Sequence, residues 1–97
     1  AGYATVGRSR LKGTAFSGEI FELYVRPDYQ GIGLGGKLFR AARKRLADRG
    51  IPAFCIWALA DNDMACGFYR HLGGQVISEG VEQFGDTALR KVAYAWD

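Results

Sequence analysis

Leu23-Tyr24-Val25-Arg26-Pro27-Asp28-Tyr29-Gln30-Gly31-Ile32-Gly33-Leu34-Gly35-Gly36-Lys37 decides how this chain is read. Its first residues end a run of β-formers, Glu19 to Val25, that stops at Arg26-Pro27 because the residue before a proline is held extended. Its last residues open a helix over Lys37 to Arg49, with Leu38, Ala42 and Leu46 at four-residue steps on one face and Gly50 as the stop. Between strand and helix the chain spends four glycines, Gly31, Gly33, Gly35 and Gly36, within six residues. Glycine lets the backbone approach an oxyanion closely, and the unpaired amides and positive dipole end of a helix N-terminus stabilise it. A strand, a glycine loop and a helix start together predict an anion site, with a phosphate or diphosphate as its natural guest. The competing reading is a glycine turn that holds no ligand.

Gly31, Gly33 and Gly36 also satisfy G-x-G-x-x-G, with Asp61 near the end of the following strand. The dinucleotide fingerprint, however, puts its first glycine in the tight turn itself, whereas Arg26 to Gln30 intervene here. A chain of 97 residues is also too short for two mononucleotide halves.

Outward from this stretch, Gly2 to Arg10 reads as a strand and Leu11 to Ser17 as its connecting loop. Downstream, Ala53 to Ala60 is a buried strand, and Asp61-Asn62-Asp63 starts a second helix with Asn62 as the cap. That helix runs to about Leu72, where Gly73-Gly74 supplies a left-handed stop. Strands follow around Val76 to Phe84 and Ala88 to Trp96, joined by Gly85-Asp86. The order β, β, α, β, α, β, β predicts an α/β (α+β) fold with a mixed, mostly antiparallel sheet and helices packed on it. The expected organisation is one domain over 1–97, with a ligand-binding core at about 19–74 and a C-terminal hairpin at about 75–97.

Composition excludes several classes. A net charge of +3 suits an anionic ligand but is modest for a nucleic-acid binder, and no run of aromatics offers a stacking platform. No apolar run reaches the roughly 18 residues a membrane helix needs, and Ala1-Gly2-Tyr3 does not open a signal peptide, so a cytoplasmic location is expected. Cys55 and Cys66 lack metal-ligand spacing with the single histidine, His71, and read as reduced thiols, with no metal.

Gln30-Gly31-Ile32-Gly33-Leu34-Gly35 resembles the Q/R-x-x-G-x-G/A loop of the GCN5-related N-acetyltransferases. The preceding Leu23-Tyr24-Val25-Arg26-Pro27 is similar to the strand before that loop, and Asn62, Ala65, Phe68, Tyr69, Leu72 and Gly73 resemble the second signature, N-x-x-A-x-x-F-Y-x-x-L-G. The resemblance covers about Gly2 to Trp96. It implies acetyl transfer from acetyl-CoA to a primary amine by direct attack on the thioester. The loop amides, Gln30 to Gly36 with Lys37, would hold the diphosphate. Leu23, Tyr24 and Val25 would lend backbone groups to the pantetheine, with Val25 N–H facing the thioester oxygen. Asn62, Ala65, Phe68 and Tyr69 would line the coenzyme on the second helix. Splaying of this strand from the one at Ala53 to Ala60 would open the cleft.

Tyr69 is the expected acid, since a phenol is protonated at neutral pH and can donate to a departing thiolate, although a Phe-Tyr pair at helical spacing is also an ordinary core pattern. Glu19 stands eleven residues before Gln30, the interval at which the histone-modifying branch of the family places its glutamate, and is the expected base. Glu22, on the sheet's other face under strict alternation, and water remain alternatives. Lys37 and Arg40 are the cations nearest the phosphates; the rest of the basic set reads as a solvated helix face.

The family's complete fold begins with a strand, two helices and a further strand that this chain does not contain. A longer product, a completing partner or a homo-oligomer is therefore expected, with a dimer formed through the exposed sheet edge. The acceptor is expected to be a small molecule or peptide amine, with no nucleic acid or membrane involved. The alternative function is a catalytically silent module that binds coenzyme A or a protein.

Overall fold

The computed structural model describes residues 2–9, 15–25 and 33–97. The elements are β1 (Gly2–Arg8), β2 (Gly18–Val25), α1 (Leu34–Asp48), β3 (Phe54–Leu59), α2 (Asp63–His71), β4 (Gln75–Phe84) and β5 (Thr87–Trp96), matching the expected order. They form a sheet of order β1-β2-β3-β5-β4 in which β2 and β3 are, among the described residues, the one pair of neighbours that run parallel. The fold is thus the mixed, mostly antiparallel α/β sheet that the sequence predicts.

α1 begins three residues earlier than periodicity suggests, because Gly33 adopts a left-handed conformation (φ 83°) and starts the helix without a side-chain cap. Its buried positions are Phe39, Ala42 and Leu46, while Leu38 is only half-buried. α2 is capped as expected: Asn62 Oδ1 accepts from Ala65 N–H at 3.1 Å.

Both helices lie on the same face of the sheet. Trp96 touches Phe39 of α1 (ring centroids 4.8 Å apart) and Tyr69 of α2 (6.2 Å), and stacks on Phe54 of β3 at 5.2 Å. The cause is topological. β2, β3 and β4 are mutually parallel and follow one another in the same direction across the sheet, so two right-handed crossovers put their helices on one side. The core fills this layer with Ile20, Phe39, Leu46, Phe54, Ile56, Tyr94 and Trp96.

A β-bulge interrupts β2. Val6 pairs with Ile20 but Thr5 pairs with Glu22, which leaves Phe21 as the extra residue. Phe21 lies over Gly7, where a methyl group would come within 2.7 Å of its ring. Because β1 alternates regularly, Val6 and Ala4 face the helices with their partners Ile20 and Leu23. Gly7, Thr5 and Tyr3 face the other way with Glu19, Glu22 and Tyr24. The bulge therefore corrects the strict alternation expected of β2: Glu22 shares the helix-free face with Glu19.

Among the described residues, no helix is long and apolar enough to cross a membrane.

Candidate functional site

The ladder between β2 and β3 consists of two residue pairs, Gly18 with Phe54 and Glu19 with Cys55. Beyond them, among the described residues, the edges of Ile20–Val25 and Ile56–Leu59 that face each other carry no ladder. A wedge-shaped gap opens toward the C-terminal ends of both strands, where the edges at Leu23–Val25 and Ile56–Leu59 offer peptide groups to a guest. The apex is held shut by close packing. A methyl group on Gly18 would meet Ile51 Cγ2 at 2.8 Å and Phe54 Cβ at 3.1 Å, so the strands touch there because Gly18 has no side chain.

The wedge opens where the N-termini of α1 and α2 also lie, since each helix follows the C-terminal end of its strand. That is the customary place for a ligand in an open sheet with parallel crossovers. The two helix starts differ in charge. α2 has an ordinary start and finish, with Asn62 as cap, Asp63 in the first turn and Arg70 and His71 in the last. α1 has no acidic residue in its first turn and no side-chain cap. It carries Lys37 there instead, and the exposed Arg40 folds back so that a methyl group at Gly36 would lie 3.3 Å from its Nη1. Two cations at the positive end of a helix dipole oppose the protein's own field, an arrangement that an anion would relieve.

Of the expected ligand-binding residues, Gln30, Gly31 and Ile32 lie outside the described residues, as do Arg26 to Tyr29. Gly33, Leu34, Gly35, Gly36 and Lys37 form the start of α1. Leu23, Tyr24 and Val25 form the free end of β2. The Tyr24 side chain points to the helix-free face, so only its backbone is available to the gap. Asn62 spends Oδ1 on the cap, which leaves its Nδ2 donors for another partner. Ala65 and Phe68 are partly buried against the core beside Tyr69.

Tyr69 is 8% exposed, with its ring against Tyr94 (5.9 Å), Phe68 (5.7 Å) and the edge of Trp96. Its hydroxyl has no hydrogen-bond partner among the described residues. Burial, with a smaller contribution from Cys66, raises its pKa above 10.0 and holds it protonated. The Tyr69 ring is thus part of the core, as a Phe-Tyr pair at helical spacing suggests, and its hydroxyl is held protonated. Tyr94, which the sequence reading did not single out, backs this ring and accepts a hydrogen bond from Arg70 Nη1 at 3.0 Å. No spacing rule links those two residues.

Glu19 is fully buried at the apex of the wedge, on the helix-free face between Gly7 and Cys55. Glu22 is exposed on the same face nearer the open end and accepts a hydrogen bond from the Tyr3 hydroxyl at 3.1 Å. That bond raises the Tyr3 pKa. The bulge that places Glu22 and Tyr24 here has no glycine or proline to announce it.

A separate hollow of about 300 Å³, bordered by Phe16, Arg43, Gln75, Trp96 and Asp97, lies at the opposite end of the strands. It is remote from both helix starts. Trp96 beside it fills the space that a side chain on Gly74 would need, its Cζ2 falling 2.5 Å from such a methyl group.

Residues 11–82 match the family model described as FR47-like protein. The mycothiol acetyltransferase of Corynebacterium aurimucosum is 36% identical over 62 residues, covering 64% of this chain and 20% of that protein. The ribosomal-protein-S18-alanine N-acetyltransferase from Escherichia coli is similar in structure, with a TM-score of 0.66 at 26% identity over 80% of this chain and 52% of that one. Arabidopsis thaliana NAA60 in complex with acetyl-CoA shares the fold, with a TM-score of 0.76 at 15% identity over 98% of this chain and 64% of that one. The chain thus spans about a fifth of the curated relative and about half of the first of these solved structures. With a family model matched over most of its length, the chain belongs to the FR47-like family of the GCN5-related N-acetyltransferase superfamily.

Proposed function

We propose that this chain binds acetyl-CoA in the wedge between β2 and β3 and supports transfer of the acetyl group to a primary amine. The observation that carries this reading is the start of α1, where Lys37 belongs to a first turn with no side-chain cap and no acidic residue, and Arg40 folds back over Gly36. Those donors fit a diphosphate, and the unladdered strand edges fit the amide-bearing arm that follows it. The relatives support the same direction: the Corynebacterium protein is named an acetyltransferase, and NAA60 was solved with acetyl-CoA.

In this mechanism the amides from Gln30 to Gly36 and the Lys37 ammonium hold the diphosphate. The backbone of Leu23, Tyr24 and Val25 orients the pantetheine, and Asn62, Ala65 and Phe68 close its other side. The Val25 N–H stabilises negative charge developing on the thioester oxygen. The amine nitrogen forms a bond to the acetyl carbon as the carbon–sulfur bond breaks. A carboxylate or water accepts the proton lost by nitrogen, and the Tyr69 O–H donates one to the departing sulfur. Glu19 is our choice of base, acting through water because its carboxylate is buried at the apex. The coenzyme-binding core at about 19–74 and the hairpin at about 75–97 serve as one unit. We place the reaction in the cytoplasm, the reducing compartment that two unbridged thiols suit.

Thermal unfolding with acetyl-CoA and with S-acetylpantetheine tests the binding site. At 100 times its Kd, acetyl-CoA should add about 2.7 kcal/mol, or roughly 10–20 °C for a chain of this size. S-acetylpantetheine, which lacks the diphosphate, should add much less, and equal effects would remove the α1 site. Free-thiol release with a panel of amines then separates an enzyme from a silent binding module. Coenzyme binding without thiol release would establish the module.

A further inference from the structure

Outside the wedge, a second cluster of side chains has chemistry that the transfer step does not use. Tyr3 and Tyr24 are in register across β1 and β2, with ring centroids 5.5 Å apart and planes tilted by 35°. The Tyr3 hydroxyl binds the exposed Glu22 carboxylate at 3.1 Å. Both rings stay largely open to solvent, Tyr3 at 49% and Tyr24 at 44%. All three side chains stand on the helix-free face, Tyr3 by the regular alternation of β1, Glu22 and Tyr24 because the bulge at Phe21 shifts the phase of β2. Two aromatic faces beside a carboxylate attract a cation through the ring quadrupoles and the full negative charge.

The position matters as much as the composition. Tyr24 precedes Val25, and Glu22 stands three residues before it, roughly 10 Å along an extended strand. The cluster faces the side of the sheet opposite the two helices, so its occupant would approach the wedge from the side that carries neither helix. We infer that Tyr3, Glu22 and Tyr24 select an acceptor with a second positive group, held about 10 Å or less from the amine that reacts beside Val25. This inference rests on the acetyl-transfer reading and adds a substrate class to it: a di- or polyamine, or another amine with a distal cation. Glu22 is then a specificity residue and not the base.

The test compares hexamethylenediamine with hexylamine, which share a chain length and differ in the second cation. In free-thiol release assays, the diamine should have a kcat/KM about fivefold or more above that of hexylamine, expressed mainly in KM. Glu22→Gln should collapse that ratio toward one. If Glu22 is the base, both amines fall together in kcat and the ratio persists, which overturns the inference. An equal kcat/KM for the two amines in the unaltered protein overturns it as well. Calorimetric titration of hexamethylenediamine gives a second readout independent of turnover, with heat expected for the unaltered protein and lost in Glu22→Gln. Absence of diamine binding defeats the cation site, whereas absence of acetyl-CoA binding in the same preparation defeats the acetyl-transfer reading.

Discussion

Replacing Arg40 by glutamine should make the free protein more stable and the coenzyme complex weaker, two effects of opposite sign from one charge. Arg40 is exposed and its guanidinium lies back over Gly36, the third residue of α1, where no acidic residue offsets it. A cation at the positive end of a helix costs about 0.3–1 kcal/mol. Glutamine has nearly the same helix propensity as arginine, so charge is the main variable that changes. A chain of this length gains about 4–8 °C per kcal/mol, which gives an expected rise of roughly 1–8 °C in the Tm of the free protein. In the complex, the same charge would face the diphosphate, and losing it should cost roughly 1 kcal/mol, about fivefold in Kd. Thermal unfolding without ligand and calorimetry with acetyl-CoA measure the two quantities separately. A free protein that loses stability, together with an unchanged Kd, would refute the electrostatic account of α1.

Tyr69→Phe keeps the ring packing on Tyr94 and Trp96 and removes only the hydroxyl, so Tm and acetyl-CoA affinity should hold while kcat falls roughly 100-fold. Unchanged turnover would take Tyr69 out of the mechanism. Because burial raises the Tyr69 pKa above 10.0, the folded state holds this proton more tightly than the unfolded chain. Stability from this group is therefore fully present below pH about 10 and falls as pH rises past it; urea midpoints should drop across that range and drop less in Tyr69→Phe. Gly74→Ala drives a methyl group to 2.5 Å from Trp96 Cζ2 and should cost about 1–3 kcal/mol, visible as a lower urea midpoint. An unaffected midpoint would show that Trp96 can yield.

Much of the fold was legible because local chemistry and tertiary need agree. Asn62 reads as a cap from its place before Asp63 and Ala65, and the structure forms that bond. The strand ending at Val25 and the turns at Gly73 and Gly85 are marked by proline and glycine, and both glycines take positive φ. Periodicity starts α1 three residues too late because a left-handed Gly33 replaces the usual side-chain cap. The bulge at Phe21 could not be read, since Ile20-Phe21-Glu22-Leu23 is compatible with either phase of a strand and only pairing with β1 selects one. For the same reason strict alternation puts Glu22 on the wrong face. Glu19 stood out by its interval from Gln30, yet its complete burial depends on neighbours distant in sequence, Gly7 and Cys55, that no local pattern connects.

The most direct test follows backbone amide resonances while acetyl-CoA is added. The account predicts that the amides of Gly33 to Lys37 shift together with those of Leu23 to Val25, and that S-acetylpantetheine moves only the second group. If acetyl-CoA left the first turn of α1 unmoved, the proposed diphosphate site, and with it the placement of the thioester beside Val25, would be contradicted.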